Sequence, residues 1–199
     1  MKLRHVVILA MLAALIGAGR WAMHREISHA DGILVDLDPR QIEPASRVPI
    51  THGDYVLTPL ADYDIEARVL SREDYSIDAG SDLAPTDLAV GWKRMSDTAV
   101  IDRLDIEQSA RFFTYRWQDA PPIPAREIER SAANMHMIPA DEGVVRDLGK
   151  IRKGSIVRMR GQLVAARRND GFQWRSSLTR NDTGGGACEL FLVDSIEQR

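Results

Sequence analysis

A single cysteine in 199 residues means that no internal disulfide can staple this chain. Lysine is nearly as scarce, with arginine supplying 22 of the 26 basic residues. Aromatics make up 6% of the chain, the formal net charge is only -3, and there is neither an internal repeat nor a low-complexity tract. Together these absences exclude a disulfide-stapled scaffold, a collagen-like or disordered chain and a generally polybasic nucleic-acid binder. No His, Cys and Asp spacing amounts to a metal-ligand set, so neither a metal nor another cofactor is expected. The glycines after Thr183 have no following Lys and open no helix, so they are not a phosphate-cradling loop. At this length folding removes on the order of 70% of the unfolded chain's surface from water, and one hydrophobic core can hold the fold.

Only one long apolar run is present. Lys2 and Arg4 precede Val6–Ala18, 13 uninterrupted apolar residues, which is the order of an export signal. As a helix that run would span roughly 20 Å, short of the ~30 Å hydrocarbon core, which favours cleavage over a permanent span. No clean small-residue cleavage site follows, so a tether through residues 6–23 stays open. Either outcome predicts an exported chain, periplasmic or anchored facing the periplasm, in a bacterial cell envelope.

Three segments follow: residues 1–23 as signal or anchor, 24–60 as a proline-containing linker or surface loop, and 61–199 as a single α+β domain. Tyr63, Ile65, Ala67 and Val69 alternate with charged residues, as in a strand with one buried face. Leu88 and Trp92, four apart after Pro85, predict a short helix over 85–92. Short helices are expected after Ser96, Pro124 and Asp141, with a strand at Phe113–Trp117. Val157, Met159, Gly161 and Leu163 share one strand face, Asn169-Asp170-Gly171 makes a hairpin turn, and Phe172, Trp174, Ser176 and Leu178 line the return strand. A last strand covers Ala187–Val193. The predicted class is α+β, a mostly antiparallel sheet with short helices, resembling a small OB-like barrel with Gly161 at a sharp bend.

Charge is segregated. Residues 31–110 hold 17 acidic against 7 basic side chains, whereas residues 146–180 hold 10 basic against 2 acidic. Arg158, Arg160, Arg175 and Arg180 therefore stand out as a candidate surface for an anionic ligand or an acidic envelope protein. The plainer alternative is that the acidic half folds against the basic half. By the alternation Trp174 belongs to the buried side and Arg175 points away. Nucleic acid is disfavoured as a partner because an exported protein rarely meets it.

For chemistry, His136 as base and Cys188 as nucleophile, oriented by Asn134, Asp182 or Glu189, would make a hydrolase or acyltransferase site. Residue types suffice for that idea, but spacing does not prove it. Cys188 and His136 serve equally as a small core residue and a hydrogen-bonded structural histidine. The leading expectation is a non-catalytic binding or assembly module that uses the arginine-bearing C-terminal hairpin; the alternative is a thiol-dependent enzyme.

Overall fold

The computed structural model describes residues 5, 25–180, 184 and 186–199. The expected signal or anchor over residues 1–23 therefore lies outside the described residues apart from His5, as does Asp182. Among the described residues no helix is long and apolar enough to cross a membrane.

The protein is α+β, mostly sheet with a few short helices. In chain order the strands are β1 (Arg40–Ile42), β2 (Ile50–His52), β3 (Tyr55–Asp74), β4 (Thr86–Gly91), β5 (Asp105–Ser109), β6 (Phe112–Arg116), β7 (Ala132–Pro139), β8 (Ile156–Arg168), β9 (Gln173–Arg175) and β10 (Glu189–Gln198). The α-helices are α1 (Thr98–Ile101), α2 (Ala125–Arg130) and α3 (Glu142–Leu148). Eight strands form the main sheet, in the order β1-β3-β4-β7-β10-β8-β9, with β2 also on β3. Because β3 pairs with β8 as well as with β4, the pairings of β3, β4, β7, β10 and β8 run round in a ring. All are antiparallel except β7 with β10. β5 and β6 form a separate hairpin.

Each ring strand sends alternate apolar side chains into one cluster: Ile65 and Val69 from β3, Leu88 and Val90 from β4, Met135 and Met137 from β7, Val157 and Met159 from β8, Phe191 and Val193 from β10. Burial of each such side chain contributes about 1.5–3 kcal/mol. Val144 and Leu148 of α3 close the cluster. That helix starts where Asp141 accepts hydrogen bonds from the Gly143 and Val144 amides, at 2.7 and 2.9 Å. The other faces of the strands carry two further clusters, one under β9 and one under the β5–β6 hairpin and α2.

The helix expected over 85–92 is instead strand β4, buried along its whole length. A strand covered on both faces loses the polar alternation that would mark it, and Leu88 and Trp92 fall four apart by coincidence. The return strand of the hairpin is regular only over Gln173–Arg175. Residues of the proline-containing segment lie on the domain: Val35 is in the core, and the Ile27 amide donates to the Lys153 carbonyl at 2.9 Å.

On β8, Gly161 is paired with Tyr63 on one side and Val193 on the other, and a Cβ there would lie 1.9 Å from the Leu192 carbonyl oxygen. A methyl group can be admitted only by moving backbone. Gly161→Ala is expected to destabilise by about 2–3 kcal/mol, a fall in melting temperature of roughly 5–10 °C, measured by thermal circular dichroism.

Candidate functional site

Antiparallel register sets Asp87 of β4 directly opposite His136 of β7, both facing away from the ring core. Asp87 is fully buried and His136 is 3% exposed. The His136 Nδ1 lies 2.9 Å from Asp87 Oδ1 but without the alignment of a hydrogen bond. The stronger partner of Asp87 is Arg111, whose Nη1 donates to Oδ1 at 2.7 Å.

Arg111 sits with Ala110 in the two-residue turn between β5 and β6, with φ of 70° and 49°. Two-residue hairpins favour positive φ, usually supplied by Asn-Gly, and residues with a Cβ pay about 1–2 kcal/mol each for it. The side chain holds the turn there. Arg111 donates from its amide to the Tyr75 hydroxyl at 3.0 Å, from Nη1 to the Ala84 carbonyl at 2.8 Å, and from Nε and Nη2 to the two oxygens of Asp78 at 2.9 Å each. Its guanidinium also lies 3.7 Å from the centre of the Tyr75 ring. Burial works against the Arg111 charge, but Asp78 and Asp87 outweigh it and raise its pKa. In return the hydrogen bonds from Arg111 hold the Asp78 carboxyl below its usual range.

Trp174 of β9 lies over His136, ring centres 4.5 Å apart. Gly80 makes room for the indole, since a Cβ at that position would meet it at 2.6 Å. One step along the same face of β7, Asn134 Nδ2 donates to the Arg111 carbonyl at 3.0 Å and approaches Cys188 Sγ at 3.6 Å, while its Oδ1 accepts from Gln108 Nε2 at 2.6 Å. The thiol in turn is within 3.9 Å of the Arg111 carbonyl oxygen as a donor, a role open only to the protonated form. Cys188 and Asn134 form one wall of a cavity of about 280 Å³, otherwise lined largely by Phe112, Phe113, Tyr115 and Ile128.

His136 and Cys188 thus lie in one neighbourhood with Asn134 between their contact sets. The imidazole's contacts run to Asp87 and Trp174, and the thiol's run to Asn134 and the Arg111 carbonyl. Glu189 is paired with Met135, a core residue, so it lies on the opposite face of the sheet.

The four arginines are spread over three places. Arg158 Nη2 and Arg160 Nε both meet Asp64 Oδ2, at 3.1 and 3.2 Å. Burial pushes the Asp64 carboxyl up, but the two guanidiniums outweigh it and hold it below the usual range. Arg175 is exposed opposite Ala165, roughly 17 Å further along β8 than Arg160. Arg180 donates to the Pro39 carbonyl at 3.0 Å and stands 5.8 Å from the Trp92 ring.

Arg180 also lines an open groove of about 840 Å³ with Asp38, Lys93, Arg126, Glu127 and Arg130. Lys93 has φ of 48°, held by its amide on the Val35 carbonyl at 2.6 Å and its ammonium on Asp38 at 2.5 Å. Trp92 Nε1 donates to the other oxygen of Asp38 at 3.1 Å. Arg94 grips Glu127 with two nitrogens. Sequence reasoning missed this groove because its walls come from four distant stretches. The available signal was Arg126 and Arg130, one helical turn apart after Pro124. Among the described residues no group of three or more His, Cys, Asp and Glu is placed to hold a metal ion.

Removing Arg111 strands a fully buried carboxylate. Arg111→Gln is expected to cost about 3–5 kcal/mol at pH 7, read by urea unfolding. Because the folded Asp78 pKa is depressed, its contribution is present above the unfolded value of ~3.9 and disappears as pH falls through the folded value. The wild type should therefore lose stability below about pH 4 more steeply than the variant. No family model matches the chain, and no curated protein or solved structure is detectably similar to it.

Proposed function

We propose that this is an exported, non-catalytic binding or assembly module of a cell envelope, directed or tethered by residues 6–23, with its five-stranded ring acting as a small OB-like barrel. In support of the barrel reading, the last ring strand, β10, inserts between β7 and β8, the return expected of a Greek-key closure. The observation that carries the binding role is the groove beside Arg180: a concave, ligand-sized surface to which Arg126 and Arg180 bring guanidiniums without a carboxylate in ion-pair contact among the described residues. Arg158 and Arg160, paired with Asp64, contribute less to this role than Arg180.

A second reading, a thiol-dependent hydrolase or acyltransferase, is favoured by one arrangement: Cys188 beside Asn134 on the cavity wall, with Asp87 and His136 on the same sheet face. Against it, the thiol donates to the Arg111 carbonyl, a role that only its protonated, non-nucleophilic form can fill.

Two measurements test the proposal. The full-length chain should fractionate with the envelope, and a version lacking residues 1–23 should stay in the cytosol; full-length protein in the cytosolic fraction overturns the envelope role. Cys188 in the folded protein should react with iodoacetamide at pH 7 no faster than free cysteine, whose pKa is ~8.5. Faster labelling, coupled to loss of an esterase or acyl-transfer activity, would establish the enzyme reading instead.

A further inference from the structure

The groove's chemistry narrows the ligand, and this step rests on the binding-module reading above. We infer that the groove between Arg126 and Arg180 takes an acidic oligosaccharide: a hydroxyl-rich chain carrying spaced carboxylate groups.

Size is the first constraint. A cavity of about 840 Å³ falls in the range of sites that enclose molecules of several rings, and it far exceeds what one inorganic oxyanion fills. Charge is the second. Arg126 is exposed on α2, and Arg180 stands across the groove against the Trp92 ring, so two planar guanidiniums are available to planar oxyanions. Arg130 and Lys93 bring the lining cations to four, and the position of Lys93 is fixed by its strained backbone and by Asp38.

The groove is not uniformly basic. Asp38 and Glu127 stand among these cations, each already oriented by a partner: Asp38 by Lys93 and Trp92, Glu127 by Arg94. Lys93 and Trp92 keep the Asp38 carboxyl below its usual range, so it remains a pure acceptor down to acidic pH. A dense polyanion would set part of its charge against these two carboxylates. A sugar chain would instead give them hydroxyl donors and place its own acidic groups on the guanidiniums. Leu178, 38% exposed, and Pro124 supply small apolar surfaces for the face of a sugar ring.

On its inner side Arg180 acts, with Glu189, on the Tyr63 hydroxyl, which belongs to a residue only 3% exposed. A buried hydroxyl beside Arg180 makes that side chain's inner setting polar. Single-stranded nucleic acid fits less well, because the Trp92 indole behind Arg180 is fully buried and offers no stacking face.

Isothermal calorimetry on the folded chain at low salt tests the inference with tetragalacturonate, neutral maltotetraose and inorganic polyphosphate. Tetragalacturonate should bind, and both others should bind at least tenfold more weakly. Arg126→Glu and Arg180→Gln should each weaken tetragalacturonate at least tenfold, and Arg146→Glu on α3 should not. Circular dichroism confirms folding, and exposed Arg126 keeps the test valid should Arg180→Gln destabilise the protein. Polyphosphate binding as tightly as the uronate, maltotetraose binding equally well, or unchanged affinity in Arg126→Glu would overturn the inference. If that happens while the chain still fractionates with the envelope, the oligosaccharide assignment falls and the envelope reading stands.

Discussion

Arg111 is the contact on which one whole side of the molecule depends. Its guanidinium joins Asp78, in the connection between β3 and β4, to Asp87 inside β4, and its backbone forms the turn of the β5–β6 hairpin. A buried ion pair of this kind adds little net stability compared with apolar packing of the same volume, because desolvation offsets the attraction. What it adds is placement. Only one position of the hairpin brings Arg111 to both carboxylates, and that position lets its carbonyl accept from Asn134 and its ring-facing side lie over Tyr75.

Strain and satisfaction are balanced at this point. Positive φ at Ala110 and Arg111 costs energy, and the five side-chain and amide hydrogen bonds of Arg111 hold it in place. The same logic operates at Lys93 on the other side of the ring, where positive φ is held by Val35 and Asp38. Arg111 and Lys93 are both cations anchored on carboxylates. One closes a buried cluster and the other lines an open groove, which is why the first reads as architecture and the second as a surface for ligands.

The opposition between an acidic first half and a basic second half is resolved largely by strand pairing. β3 runs antiparallel to β8 over thirteen matched positions, which sets Asp64 against Arg160 and Glu66 against Arg158. Asp64 takes both arginines, Gln162 donates to Asp62 at 2.8 Å, and Arg199 meets Glu66 at 2.5 Å. These pairs are partly exposed, where an ion pair contributes up to about 1 kcal/mol, so they serve register more than stability. The groove cations come instead from α2, the turn after β4 and the segment after β9.

Local pattern by itself determined the α+β class, the alternating faces of β3 and β8, the Asn169–Gly171 turn and the Asp141 cap of α3, because periodicity and capping are properties of a few neighbouring residues. It also brought His136, Asn134, Cys188 and Arg180 forward as residues with chemical potential. Tertiary structure alone decided that β4 is a strand, that β10 lies parallel to β7, and that Arg111 rather than His136 is the main partner of Asp87. It also decided that Arg180 shares a groove with Lys93 and Arg126 instead of with Arg158 and Arg160. Strand register and the pairing of buried charges join residues tens of positions apart, and no local period encodes which of many equivalent arginines will meet which carboxylate.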